Sequence, residues 1–125
     1  FELQQIDEAI ADFDEAIVLD PKFTPSYVSR AACRAMKGDI ERAIADTSAA
    51  LAIDPSLSTA LRSRASHYYA VGDFDRAIAD FTTLVAQDAT DVTALNGRGS
   101  SYARQQRFDK AIADFDAALK VDPRN

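Results

Sequence analysis

The chain has 125 residues, 47% of them hydrophobic and 27% charged, with one cysteine and a net charge of −6 at pH 7. This is the composition of a soluble domain with room for a core, and its pI near 4.6 lacks the basic footprint that nucleic acid or an anionic membrane surface requires of a principal partner. No apolar run approaches the roughly 20 residues that span a bilayer, so membrane insertion is not expected.

Read in chain order, Phe1 to Leu3 is expected as the tail of a helix whose body is missing, since the chain opens on Phe rather than Met and leaves room for a preceding segment. A helix over about 5–19 follows, where Ile6, Ala9, Ile10, Phe13, Ala16 and Ile17 recur at spacings of three and four. It runs into Asp20-Pro21, and proline disfavours helix for the residue before it. The second helix, about 25–37, starts at Thr24-Pro25 and stops at Gly38, and Asp39 caps the third, 40–53, which ends at Asp54-Pro55. Ser58 is expected to cap the fourth, 59–71, which Gly72 stops. Asp73 caps the fifth, 74–87, whose apolar face is Phe74, Ala77, Ile78, Phe81, Leu84 and Val85. A sixth helix over 93–105 and a seventh over 108–121, ending at Asp122-Pro123, complete the chain.

The odd-numbered helices repeat one text: EAIADFDEAIVLDP from Glu8, RAIADTSAALAIDP from Arg42, RAIADFTTLVAQD from Arg76 and KAIADFDAALKVDP from Lys110. Their alanines, Ala9, Ala43, Ala77 and Ala111, are spaced 34 residues apart, and a fixed period of this size means stacked supersecondary units. A 34-residue helical hairpin with this pattern resembles the tetratricopeptide repeat (TPR) family, whose signature runs W-x2-L-G-x2-Y, then A-x3-F, then P. Ala9/Phe13/Pro21, Ala77/Phe81 and Ala111/Phe115/Pro123 match its later half, and Leu95, Gly99 and Tyr102 its first half. Ala31, Ala65 and Gly99 hold the close-contact place between paired helices. Several positions depart from the pattern. Arg30, Arg64 and Arg98 replace the family's leucine, Arg34 and Thr47 replace both large aromatics of one repeat, and Ala89 stands where proline is expected.

The resemblance implies an all-α, right-handed α-solenoid of about seven helices, one domain over 1–125. A partial repeat, 1–23, precedes full repeats at 24–57, 58–91 and 92–125, and the first helix of each pair lines a concave surface. The replaced leucines carry a prediction of their own. Buried arginines need partners, so Arg30 should pair with Asp46 or Asp12, Arg64 with Asp80 or Asp46, and Arg98 with Asp114 or Asp80.

Catalytic chemistry finds no foothold. Cys33, His67 and Ser101 lie one period apart on successive first helices, whose axes pack about 8–10 Å apart, whereas a nucleophile and its base must come within about 3 Å. Asp73 and Asp75 suggest the start of a calcium loop, but helical Ala77 and Ile78 stand where its acidic residues and glycine belong, so helix capping explains them better. The row Asp12, Asp46, Asp80 and Asp114 follows the repeat rather than a catalytic pair. With no Gly-rich phosphate loop and a single histidine, no enzyme activity, cofactor or metal is expected. Cys33 has no internal disulfide partner, which favours the cytoplasm, with the periplasm or secretion left open.

By the same resemblance the chain is expected to be an adaptor that holds a partner's peptide or helix in the groove. Groove-lining positions are Val28, Ser29, Ala32, Ala35 and Met36, then Arg62, Ser63, Ser66, Tyr69 and Ala70, then Asn96, Ser100, Ala103 and Arg104. The carboxylate clamp of co-chaperones, built on Lys, Asn and Arg of successive first helices, finds only Arg62 as a substitute in any register and is disfavoured. Arg62 and Arg104 give the groove +2, leaving −8 for the rest of the chain, so an acidic or amide-bearing segment is expected, with Tyr69 as anchor. The alternative is a structural or self-associating segment of a larger scaffold. Its uncapped ends would expose Ile10, Phe13 and Ile17, or Phe115 and Leu119.

Overall fold

A computed structural model describes residues 3–124; the expected helix tail at Phe1 and Glu2 lies outside the described residues. Leu3 is the first described residue of a helix that runs on to Leu19, not the end of an earlier one. Seven helices follow among the described residues: α1 (Leu3–Leu19), α2 (Thr24–Met36), α3 (Ile40–Ile53), α4 (Ser58–Ala70), α5 (Phe74–Gln87), α6 (Val92–Arg104) and α7 (Phe108–Val121). Each packs against its neighbours in sequence, and α4 also touches both α2 and α6. Among the described residues the odd helices do not pack against one another. Closing the stack along α2, α4 and α6 while leaving it open along the other row curves the array, with those three first helices on the inside.

The local chemistry explains the helix ends. Gly38 and Gly72 adopt φ of 85° and 81°, the left-handed conformation that stops α2 and α4. Gln106 takes the equivalent place after α6 at φ 62°. Asp39 and Asp73 accept hydrogen bonds from the Arg42 and Arg76 backbone N–H groups and cap α3 and α5. Contrary to the expectation from sequence, Ser58 does not cap α4: it is the first helical residue, and Leu57 occupies the cap position without a side-chain bond.

The missing proline at Ala89 leaves the turn intact, because aspartate organises it. Asp20, Asp54, Asp88 and Asp122 each accept from the backbone N–H two residues on, at 2.9–3.3 Å. At Asp88 the Thr90 hydroxyl adds a second bond of 2.6 Å.

The core is small-sided. Ala50, Ala60, Ala65, Ala77 and Ala94 interleave with Leu51, Leu61, Leu84 and Phe81 in one cluster. Alanine lets helices approach, and glycine does so further. A methyl group on Gly97 would lie 2.4 Å from Phe81 Cζ, so α6 is notched for that ring. One repeat earlier the same two positions hold Thr47 and Ser63. Thr47, where an aromatic was expected, is fully buried and turns its hydroxyl back to the Ala43 and Ile44 carbonyls at 3.1 Å.

Candidate functional site

A ladder of ion pairs spans the array and fixes the first helices against the second ones. Arg30 reaches Asp46 through Nε and Nη2 at 3.1 and 2.7 Å, Arg64 reaches Asp80 at 2.8 and 2.8 Å, and Arg98 reaches Asp114 at 2.9 and 2.8 Å. These are two-point forks, the strong geometry for guanidinium and carboxylate. The three aspartates are buried, and their hydrogen bonds hold the arginines further in the charged form against the burial that opposes it.

Of each pair of alternative partners the first-named aspartate is the one engaged, and each arginine adds a further acceptor. Arg30 donates to Asp14 at 2.7 Å, Arg64 to Ser48 at 3.2 Å and Arg98 to Thr82 at 3.3 Å, each on the preceding second helix. Asp12 makes no such bond and is exposed. Thus each arginine staples its own repeat to the one before it. Arg34, in the place of a lost aromatic, adds a bond of 2.9 Å to Asp46.

The expected groove positions all fall on α2, α4 and α6. Ala32, Ser66 and Ala70 are exposed, Val28, Ser29, Ser63, Asn96 and Ser100 are half-buried, and Met36 is 57% exposed. Val28 and Ser29 join Thr24, Pro25, Leu57 and Thr59 around a hollow between α2 and α4.

Two groove residues are engaged within the chain. Arg62 forks onto Asp91, with Nη1 to Oδ1 at 3.1 Å and Nη2 to Oδ2 at 2.9 Å. Asp91 also caps α6 by accepting from the Ala94 N–H, and chiefly the Arg62 guanidinium holds its carboxyl below the usual range. The +2 expected for the groove is therefore halved, because the charge of Arg62 is answered locally. Tyr69 packs edge-on against Phe74 at 5.3 Å, and the Arg104 guanidinium lies 5.0 Å over Phe74 and 5.8 Å over Tyr69. Tyr69 is thus held in a cluster at the hairpin turn between α4 and α5. Asp91 and Phe74 carried no sequence signal for these contacts beyond capping and core periodicity.

Cys33, His67 and Ser101 lie on α2, α4 and α6 respectively. Ser101 is buried and donates to the Gly97 carbonyl at 2.8 Å, Cys33 is half-buried, and His67 has a buried Nε2 without a hydrogen-bond partner. Burial pushes the His67 pKa below its ordinary value. Asp73 is a helix cap, and Asp75 accepts from the Gln105 amide at 2.7 Å. Among the described residues, no three His, Cys, Asp or Glu side chains gather as a metal ion would require.

A protein-family model described as tetratricopeptide repeat matches residues 1–58 and again 62–125. No curated protein matches in sequence. Among solved structures the chain is similar to a MamA protein, at 21% identity and a TM-score of 0.88 over 94% of this chain and 64% of that one. It is similar also to a tetratricopeptide repeat protein from Parabacteroides merdae, at 24% identity and a TM-score of 0.90 over 96% of this chain and 48% of that one. A third is the first TPR of Spaghetti (RPAP3) bound to the HSP90 peptide SRMEEVD, at 22% identity and a TM-score of 0.77 over 82% of this chain and 81% of that one. The chain spans less than two thirds of the MamA and Parabacteroides chains. At such identities the likeness speaks to the fold: an all-α solenoid of helical hairpins.

Proposed function

The chain belongs to the tetratricopeptide repeat family, and on that premise we propose that it is a non-enzymatic interaction module, taking a segment of a partner protein against the concave face of α2, α4 and α6. The observation that carries this reading is the surface of those helices. Exposed Ala32 and Ser66 leave space for incoming side chains, and Met36, 57% exposed beside them, supplies adaptable apolar contact. The preferred segment has small apolar side chains along its length. An acidic side chain is preferred only where it reaches Arg104, which makes no ion pair among the described residues. Asp91 removes Arg62 from that role.

A displayed library of random peptides tests this. Peptides enriched on the native chain should be lost on the double variant Ala32→Arg, Ser66→Arg, which fills the concave face from exposed helical positions without cutting into the core. Equal enrichment on both proteins would overturn the reading.

The second reading, a scaffold segment that stacks on further repeats, is favoured by one feature. Phe108, Ile112 and Leu119 on α7 are 57%, 56% and 44% exposed. Light scattering separates the two, because a self-stacking segment gains mass with concentration.

A further inference from the structure

Two corners of the concave face stand apart from its small-sided middle. The first is the hollow at the N-terminal ends of α2 and α4, walled by Pro25, Val28 and Leu57 together with Thr24, Ser29 and Thr59. Its volume of about 250 Å³ falls below the roughly 300–1,000 Å³ of pockets that enclose small molecules, and fits one apolar side chain. The second is Arg104 in the last turn of α6, set over the Phe74 and Tyr69 rings. Cation–π attraction positions this charge without neutralising it, and Arg104 makes no ion pair among the described residues. The carboxylates on either side of Phe74 in the chain are already engaged: Asp73 caps α5, and Asp75 accepts from the Gln105 amide. Both corners belong to the interior of the array. The hollow lies between α2 and α4, and Ala70 and Met36, which hold the place of Arg104 one and two repeats earlier, are exposed although α6 and α4 follow them. This row is open because it faces the concavity.

α2, α4 and α6 are successive copies of one helix and run the same way, so the two corners lie diagonally across the face. They are separated by about one and a half helix spacings of ~8–10 Å across and by ~12 Å along, or ~18 Å in all. Resting on the reading of the concave face as a binding surface, we propose that the groove recognises an extended partner segment at two points: an apolar side chain seated in the hollow, and an Asp or Glu side chain on Arg104, about five or six residues apart at ~3.3 Å per residue. Charge decides how many acids the segment carries. Arg62 offers no second anchor, because Asp91 holds it in a two-point fork. An acidic run would be repelled by the net charge of −6, whereas a single acid meets the one arginine left unanswered on this face.

The probes are peptides selected from a displayed random library on the native chain. Aligned, they should carry an Asp or Glu and a Leu, Ile, Met or Phe at that spacing. Arg104→Met keeps a long stem against Tyr69 and Phe74 but removes the charge, and should weaken a selected peptide about tenfold. The same peptide with its acid changed to the amide should lose that factor on the native chain and nothing further on Arg104→Met, the non-additive cycle of a direct contact. Thr59→Phe fills the hollow from an exposed position and should form the same cycle with truncation of the apolar side chain to alanine. Helicity and melting report that both variants are folded. Selected peptides without the paired acid and apolar residue, or additive behaviour in either cycle, would overturn the proposal, while loss of binding on Ala32→Arg, Ser66→Arg would leave the groove reading standing. Loss of binding on amidating the peptide's C-terminus would also overturn it, by assigning Arg104 to a chain terminus. If no peptide distinguishes the native chain from Ala32→Arg, Ser66→Arg, the groove reading and this proposal fall together.

Discussion

Arg64 and Asp80 show how one pair replaces a leucine. With side-chain exposures of 24% and 7%, the pair is too buried to be broken cheaply. Asp80→Ala strands a guanidinium and should cost about 3 kcal/mol, whereas replacing both partners with leucine should recover most of that. Urea denaturation of the two variants checks it. The exposed pairs Arg42–Asp39 and Arg76–Asp73, at 3.5 and 3.6 Å, should contribute under about 1 kcal/mol. The arginine row was legible because its period matched that of the aspartates. Its second acceptors were not, since Asp14, Ser48 and Thr82 share no residue type and lie two positions beyond the conserved spacing of the aspartate row. His67 behaves differently again. Its folded pKa is lowered by burial, so the unfolded chain binds more protons, and stability is full above about pH 6.5 and falls as pH drops through that value. His67→Gln should flatten the melting temperature between pH 7 and pH 5, and an unchanged slope would contradict the assignment.

At the level of the element, apolar periodicity and proline placed all seven helices to within two residues of the observed ends. Boundaries were readable because each stop uses backbone chemistry visible in a single residue, such as Gly38, Gly72 or Asp39. The turn after α6 lacks that signal, and Gln106 adopts a left-handed conformation unfavourable to a residue with a Cβ. Gln106→Gly should therefore raise stability by about 0.5–1 kcal/mol, the relief being partly offset by the entropy of glycine. Helix packing carries the opposite lesson. Gly97 is a notch for Phe81, and Gly97→Ala should cost about 1–2 kcal/mol, because overpacking outweighs the better helix propensity of alanine. Trimming the ring in Phe81→Leu should absorb much of that cost, measurable as a non-additive double-mutant cycle. No sequence pattern announced this notch, since Ser29 and Ser63 occupy the equivalent positions in the earlier repeats.

Across the whole molecule, the period dictates an inner row of three first helices and an outer row that never closes on itself. The expectation of apolar ends is met on one side only. Ile10, Phe13 and Ile17 are half-buried under α2, and the exposed apolar residues near that end are Leu3, Val18 and Leu19 instead. Leu119 is exposed as expected, joined by Phe108 and Ile112, whereas Phe115 is half-buried against Gly99. Sequence could place the candidate groove on the first helices but not its electrostatics, because the Arg62–Asp91 fork joins residues 29 apart in the chain with no periodic counterpart. The measurement that bears most directly on the proposed function is the amide footprint of a library-selected peptide on the isotope-labelled chain. Shifts are expected to concentrate at Ala32 and Met36 on α2, Ser63 and Ser66 on α4, and Asn96 and Ser100 on α6. A footprint confined to α1, α3, α5 and α7, with the first helices unmoved, would contradict it.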